Sequence, residues 1–167
     1  EQQQQPVVAF VPKPQAYAQS MQPDERVSTH ISHLFLVGDR AYKLKRAVKL
    51  PYLDFSSLGK RHAACTREVD LNRRTAPELY LEVTPVTRRA DGGLELGGSG
   101  AAVDFVVTMR RFDQDCLLDR VAAHGDLDAG IQRRLADAIA DFHAAAQPAA
   151  ADGGGDALGA VIDECEV

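Results

Sequence analysis

With 167 residues, of which 45% are hydrophobic, the chain can form one ordinary domain or two small lobes with a buried core. Its formal net charge of −5 at pH 7 argues against binding to nucleic acid. No apolar run approaches the ~18 residues of a membrane span and the N-terminal residues lack the order of a signal peptide, so we expect a cytoplasmic protein with no membrane segment.

The N-terminal third predicts an arm and then strands. Residues 1–5 are polar and low in complexity, and the stretch to Gln22 contains prolines and a few apolar residues. We expect an arm over residues 1–26 that forms a short helix or another ordered segment, or stays disordered. Three strands are expected next, at about 27–31, 33–37 and 40–46. Gly38 and Asp39 form a turn pair, which predicts a hairpin between the second and third strands.

The third strand carries two lysines on one face. Because side chains alternate along a strand, Ala41, Lys43 and Lys45 share a face. Tyr42 and Leu44 share the other face, which we expect to be the packed one.

A long helix is expected after these strands. Ser56 or Ser57 is its expected N-cap, and it runs from about Leu58 to Arg74, before Pro77. Its apolar residues recur at helical spacing and form a stripe of Ala64, Cys65, Val69 and Leu71. The same helix carries Glu68.

The rest of the chain predicts strands and then helices. We expect strands at 80–87, 94–96 and 103–109. We expect helices at 116–123, 130–146 and 156–166. A sheet of about five antiparallel strands with one helix, followed by helices alone, predicts an α+β fold.

The cysteines predict a reduced protein without a metal centre. Cys65, Cys116 and Cys165 lie far apart, form no ligand-spaced cluster and are odd in number. This pattern argues against a disulfide framework and fits a reducing cytoplasm.

The pair Lys43 and Glu68 indicates a function. A lysine on a strand and a glutamate on the next helix form the ion pair that holds ATP phosphates in protein-kinase-like enzymes. Longer segments agree: THIS (29–32), AYKLKRAVKLPYLDFSSL (41–58), LNRRTAPELYLEVTPVTR (71–88) and MRRFDQD (109–115). Together they resemble a bacterial aminoglycoside-phosphotransferase-like family with a protein-kinase-like fold, whose members often carry a C-terminal P-loop ATPase domain.

The resemblance implies a domain organisation. Residues 1–26 would be an N-terminal arm, 27–112 a kinase-like N-lobe, and 113–167 the beginning of an incomplete helical C-lobe.

The resemblance also implies roles for residues of the strand and helix. Lys43 would contact the α- and β-phosphates of ATP, Glu68 would hold Lys43 in place, and Ala41 would pack against the adenine. Lys45 is a rival for the phosphate role because it shares the strand face, although the Ala-x-Lys spacing favours Lys43.

Further binding residues are implied at the edges of the sheet. Ser32 would lie in or near the turn that covers the phosphates, although the chain has no G-x-G-x-x-G motif. Met109 and Arg110 would turn backbone groups towards the adenine.

The chain departs from the family where catalysis occurs. Kinase-like transfer needs an aspartate base and two residues that bind Mg²⁺. We expect this chain to lack these catalytic residues, because the family carries the base in an H-G-D-type loop after the long C-lobe helix. The P-loop motif is absent from the sequence as well. Here His124-Gly125-Asp126 precedes that helix, and Ile131 stands where a metal-binding asparagine is needed. We interpret the tripeptide as a turn between helices.

The expected function is the ATP-binding portion of a small-molecule kinase, which uses Mg-ATP and a small hydroxyl substrate and is inactive alone. The alternative is a non-catalytic interaction module built on a kinase-like lobe. In either case the surface that faces the C-lobe would be exposed, so we expect a protein partner or self-association there. A plain α+β domain with accidental similarity is the third interpretation.

Overall fold

The chain has a mixed α+β fold. The computed structural model describes residues 4–17 and 25–147, together with 154, 155, 159 and 162. Contacts along the chain define two compact units, Glu1–Arg120 and Val121–Val167. Across the described residues, every helix is too short or too polar to cross a lipid bilayer.

The main sheet has six strands, all paired antiparallel. They are β1 (Glu25–Ser28), β2 (Ser32–Val37), β3 (Arg40–Lys45), β6 (Tyr80–Arg88), β7 (Leu94–Leu96) and β8 (Ala102–Arg110). Their order across the sheet is β1-β2-β3-β8-β6-β7. All six described strands of this sheet lie in segments that the sequence predicts as strands, although we expected a sheet of about five.

The remaining elements are short strands and helices. A separate hairpin consists of β4 (Lys49–Leu50) and β5 (Leu53–Asp54). The helices are α1 (Gln5–Phe10), α2 (Leu58–Asn72), α3 (Leu118–Ala123) and α4 (Ala129–Ala145), with single 3₁₀ turns at Pro14–Ala16 and Gln114–Cys116. The β4–β5 hairpin was not expected, because strands of two residues show no alternation that a sequence pattern could reveal.

The hairpin predicted from the Gly38-Asp39 pair is present between β2 and β3. Val37 pairs with Arg40, so two residues make the connection. Gly38 has a φ of 55°, a left-handed conformation that glycine adopts without steric cost. The resulting register places Leu34 opposite Lys43.

The first strand ends earlier than predicted, at Ser28 rather than Ile31. The Thr29 hydroxyl accepts hydrogen bonds from the backbone N–H groups of Ile31 and Ser32, at 3.4 and 3.1 Å. This side chain closes a tight turn at 29–31, and a local side-chain bond of this kind competes with strand pairing.

Both faces of the main sheet are packed. One face meets the N-terminal arm in a core cluster of Val7, Val11, Phe35, Leu44, Val86 and Val106. The other face meets α2 in a cluster of Cys65, Val69 and Val107. The sequence predicted a packed face on β3 only at Tyr42 and Leu44. The face with the lysines is packed as well, because α2 lies over it.

Helix α2 begins directly after a predicted N-cap residue and ends before its predicted last residue. The Ser57 hydroxyl accepts the N–H of Lys60 at 3.3 Å, which makes Ser57 the N-cap. The helix ends at Asn72 rather than Arg74. Turns follow before Pro77, where the N–H groups of Arg74 and Thr75 donate to the carbonyls of Leu71 and Asn72 at 3.3 and 3.2 Å.

The N-terminal arm is ordered at residues 4–17 and contains α1, so the described part forms the short helix that was one of its alternatives. In the second unit, α4 is capped by Asp128, whose carboxylate accepts the N–H of Ile131 at 2.7 Å. The helix expected at 156–166 lies outside the described residues apart from 159 and 162.

Candidate functional site

A cleft of about 440 Å³ opens in the first unit beside the turn between β1 and β2. Strand pairing brings its walls together, because Leu34 lies opposite Lys43 and Tyr80 lies opposite Met109. The complete lining is Val27, Thr29, His30, Ile31, Ser32, Leu34, Lys43, Tyr80 and Met109. The cleft is thus mostly apolar, with one ammonium group, one imidazole and three hydroxyl groups among its polar groups.

Glu68 connects α2 to β3 through two lysines. Lys43 Nζ donates to Glu68 Oε1 at 2.8 Å, and Lys45 Nζ donates to Glu68 Oε2 at 2.5 Å. The side chains differ in exposure: 33% for Lys43, 7% for Lys45 and 13% for Glu68. The ion pair expected from the sequence is therefore present, and a second lysine shares its carboxylate.

The surroundings of Glu68 favour its ionised form. Burial raises the pKa of Glu68, but the hydrogen bonds from Lys43 and Lys45 outweigh burial and hold that pKa below its ordinary value. Glu68 is therefore a carboxylate at neutral pH. Two ammonium groups and one carboxylate give the cluster a net charge of +1.

Cys65 lies one helical turn from this cluster and is fully buried. Burial raises the pKa of its thiol to about 11. Cys65 is therefore a protonated core residue at neutral pH, as its place on the apolar stripe of the helix predicts.

Ser32 contributes a buried hydroxyl with no partner. The residue is 4% exposed and lines the cleft at the start of β2. Within the described part of the chain, its Oγ has no hydrogen-bond partner. A buried hydroxyl without a partner costs free energy, so a ligand that reaches this atom from the cleft would gain by bonding to it.

The other residues implied by the resemblance lie around the cleft. Ala41 is buried opposite Met109, on the neighbouring strand. Met109 lines the cleft, whereas Ala41 and Arg110 do not. The backbone N–H of Arg110 donates to the carbonyl of Leu79 at 2.8 Å, so that group is already paired.

The His124-Gly125-Asp126 segment lies in the second unit, in the turn between α3 and α4. Gly125 has a φ of 82° and its N–H donates to the carbonyl of Ala122 at 3.1 Å. The segment is thus the turn between helices that we expected.

A buried polar cluster that the sequence did not predict joins α2, β8 and the N-terminal arm. Arg61 Nε on α2 donates to Asp104 Oδ1 at 2.8 Å, and Gln4 Nε2 donates to Asp104 Oδ2 at 2.8 Å. Gln4 Nε2 also donates to the carbonyl of Lys45 at 2.7 Å. The available signal was Asp104 itself, the single carboxylate of a strand whose residues are mostly apolar.

The described residues contain no group of three or more His, Cys, Asp or Glu side chains placed to hold a metal ion.

Comparisons with known proteins give relatives without an assigned function. Two uncharacterised proteins from strains of Mycobacterium tuberculosis and one from Mycobacterium bovis are each 36% identical to this chain over 124 residues. The match covers 71% of this chain and 22% of each relative, so the chain spans about a fifth of their length. No model of a protein family matches the chain, and no solved structure matches it.

Proposed function

We propose that this chain is the ATP-binding portion of an aminoglycoside-phosphotransferase-like small-molecule kinase. The intact protein transfers the γ-phosphoryl group of Mg-ATP to a small hydroxyl substrate. The observation that carries the proposal is the ion pair between Lys43 on a central strand and Glu68 on the following helix, at the wall of a cleft. This pairing positions ATP phosphates in kinase-like enzymes.

The chemistry of the cleft supports an anionic ligand with an apolar part. The Lys43 ammonium and the unpaired Ser32 hydroxyl can each donate to a phosphate oxygen. Leu34 and Met109 offer an apolar surface for a nucleobase.

We assign phosphate and nucleobase contacts to this chain and no metal ligand, since the described residues contain no group of three or more His, Cys, Asp or Glu side chains that could hold a metal ion. Bound Mg²⁺ supplies charge neutralisation of the phosphates. We place the protein in the cytoplasm, where its scattered cysteines stay reduced.

Thermal unfolding with and without Mg-ATP tests this function. At a ligand concentration of 100 Kd the wild type should gain about 2.7 kcal/mol, which raises Tm by roughly 5–10 °C. Lys43→Ala should abolish this gain, because it removes the phosphate-binding ammonium.

Lys49→Ala is the matched control. Lys49 is an exposed lysine on the short β4 strand and does not line the cleft. The control should keep the full shift of the wild type. If Lys43→Ala keeps the shift as well, Lys43 does not bind the phosphates.

A second candidate function is a non-catalytic interaction module. It is favoured by two exposed apolar side chains, Leu135 and Ile139, which lie four residues apart on one face of α4. Sedimentation of the purified chain, combined with the ATP titration, separates the candidates. A self-associated or partner-bound protein with no ATP-dependent shift favours this second function.

A further inference from the structure

We propose that the N-terminal arm positions Glu68 against Lys43. Gln4 is the positioning residue, which acts on this ion pair without touching it. It holds the strand that carries Lys43 directly, and it holds the helix that carries Glu68 through a buried ion pair. The consequence for ligand binding rests on the proposed ATP-binding function, because the pair of Lys43 and Glu68 carries that function.

Gln4 holds the end of β3. The residue is 4% exposed, although its neighbour Gln5 is exposed. Its Nε2 donates to the carbonyl of Lys45 at 2.7 Å, and its Oε1 accepts the N–H of Ala47 at 2.8 Å. Lys45 is the last residue of β3 and lies two positions beyond Lys43. The arm therefore fixes the backbone at the end of the strand from which Lys43 projects.

The same amide reaches α2 through Asp104. Gln4 Nε2 also donates to Asp104 Oδ2 at 2.8 Å, and Arg61 Nε of α2 donates to Asp104 Oδ1 at 2.8 Å. The Asp104 side chain is fully buried and that of Arg61 is 7% exposed. Displacement of either partner leaves a buried charge without compensation, which is strongly unfavourable. These bonds therefore tie α2 to the arm.

The cluster joins the two layers that pack on the sheet. Asp104 pairs with Val86, which belongs to the core cluster under the arm, so the carboxylate lies on the face of the arm. Arg61 comes from α2, which packs on the other face. The two side chains meet beside the end of β3, since Gln4 contacts both Asp104 and the Lys45 carbonyl.

The place of Arg61 on α2 makes this contact act on Glu68. The two residues are seven positions apart, close to two helical turns, so they lie on one side of the helix. Cys65 and Val69 pack between α2 and the sheet, but apolar contacts are non-directional and leave the helix free to rotate or slide slightly. Hydrogen bonds are directional, so the bond at Arg61 fixes the rotation of α2 and with it the place of the Glu68 carboxylate.

The titration of Glu68, followed by NMR in the full chain, reports the position of the pair without any ligand. Burial raises the pKa of Glu68, but the bonds from Lys43 and Lys45 outweigh burial and hold that pKa below its ordinary value. Cys65 and Tyr80 also lie near Glu68, and burial raises the pKa of each, so both keep their protons in this range of pH. A change in the Glu68 pKa therefore reports its bonds to the lysines.

Gln4→Met is the first variant, because it keeps a side chain of similar length and removes the amide. If the arm positions α2, the bonds to Glu68 weaken, and the Glu68 pKa should rise by at least about half a unit. Gln5→Met is the matched control, since Gln5 is the adjacent glutamine and is exposed. The control should leave the Glu68 pKa unchanged.

Calorimetry relates the position of the pair to ligand binding. Gln4→Met should raise the Kd for Mg-ATP by about tenfold and leave the Kd for adenosine, which lacks phosphates, within about twofold. In the Glu68→Gln background the same change should alter the Kd for Mg-ATP by less than about threefold, because Lys43 has already lost the carboxylate that holds it. Gln5→Met should bind both ligands like the wild type.

Arg61→Lys tests the same link from the helix and remains informative if Gln4→Met fails to fold. The ammonium keeps the charge beside Asp104, but it lacks the planar fork with which Arg61 donates to both Asp104 and the carbonyl of Phe55. The Glu68 pKa and the Kd for Mg-ATP should move in the same directions as in Gln4→Met.

The outcomes separate this inference from the proposed function. A raised Glu68 pKa, with a loss of Mg-ATP binding that spares adenosine and depends on Glu68, supports the role of the arm. An unchanged Glu68 pKa in both variants, an unchanged Kd for Mg-ATP, or equal losses for adenosine and Mg-ATP overturn it and leave ATP binding intact. A wild type without saturable Mg-ATP binding, whose Glu68 pKa still responds to Gln4→Met, overturns the proposed function alone.

Discussion

At the scale of single residues, Asp104 is held by partners from two other segments of the chain. It is fully buried and accepts hydrogen bonds from Arg61 on one oxygen and from Gln4 on the other. Arg61 also donates to the carbonyl of Phe55 at 3.1 Å. Since α2 carries both Arg61 and Glu68, the bond to Asp104 helps to hold the helix over the two lysines.

Asp104→Asn should therefore destabilise the protein strongly. An amide offers one acceptor oxygen, so either Arg61 or Gln4 faces an N–H group, and the buried guanidinium loses its counter-ion. We expect a loss of about 3–5 kcal/mol in the free energy of unfolding, measured by urea denaturation.

Asp115→Asn is the control, because Asp115 pairs with Arg120 at 3.0 Å in an exposed position. The control should change stability far less, since exposed ion pairs contribute little. Similar losses in the two variants would contradict a special role for the buried pair.

Glu68 should make the stability depend on pH. Its pKa in the folded protein lies below its ordinary value, as burial is outweighed by the bonds from Lys43 and Lys45. The unfolded chain therefore binds the proton more readily, so stability rises with pH in this range. The contribution is fully present above about pH 4.3, the ordinary pKa of a glutamate, and is lost as the pH falls through the lowered pKa.

Comparison with Glu68→Gln isolates this effect. We expect the variant to be less stable by roughly 1–3 kcal/mol at pH 7, and the difference should shrink towards zero as the pH falls below 4. Urea denaturation at several pH values measures it. Two other carboxyl groups also have a pKa below the ordinary value: Asp54, mainly through a hydrogen bond from Lys60, and Asp91, mainly through one from the backbone N–H of Gly93. They contribute equally to the stability of the wild type and of the variant, so they do not affect the difference. A difference that is constant with pH would argue against ionised Glu68 as the cause.

At the scale of elements, the N-terminal arm is part of the core rather than an appendage. Val7 and Val11 pack against the sheet, on the face opposite α2. Gln4, the first described residue of the arm, ties it to the sheet, because its amide donates to the backbone carbonyl of Lys45 and to Asp104 and accepts the N–H of Ala47 at 2.8 Å. The arm therefore supports β3 at the position of a lysine that contacts Glu68.

Replacing Gln4 with Ala should test this support. The change removes three hydrogen bonds, two of which reach the buried carboxylate of Asp104 and the backbone carbonyl of Lys45, so we expect a loss of roughly 2–3 kcal/mol in thermal or urea unfolding. Gln5→Ala is the matched control, since Gln5 is the adjacent glutamine and is exposed. The control should stay within about 0.5 kcal/mol of the wild type. Equal effects at the two positions would mean that the arm does not depend on Gln4.

At the scale of the whole molecule, the patterns that could be predicted were local. Alternation and turn residues predicted the β2–β3 hairpin, and the spacing of apolar residues with a serine cap predicted α2. The pair of Lys43 and Glu68 could be predicted because a strand and the next helix in the chain carry them.

Contacts between distant segments could not be predicted in this way. The burial of Lys45 depends on α2 covering its face, and the Gln4–Asp104 bond joins residues 100 positions apart. No periodicity within a single segment contains such information. The same limit explains why Arg110 was placed at the cleft, although the Leu79 carbonyl already occupies its N–H.

The two lysines on β3 also help to fix the register in which β2 and β3 pair. A slip of one residue between β2 and β3 would turn every side chain of β3 to the opposite face. Lys43 and Lys45 would then face Phe35 and the apolar cluster under the arm, while Leu44 would face Glu68. Two ammonium groups and one carboxylate would lose their partners together, so mispaired sheets are disfavoured by charge as well as by packing. Lys43, to which we assign phosphate binding, and its neighbour Lys45 thus also protect the chain against misfolding.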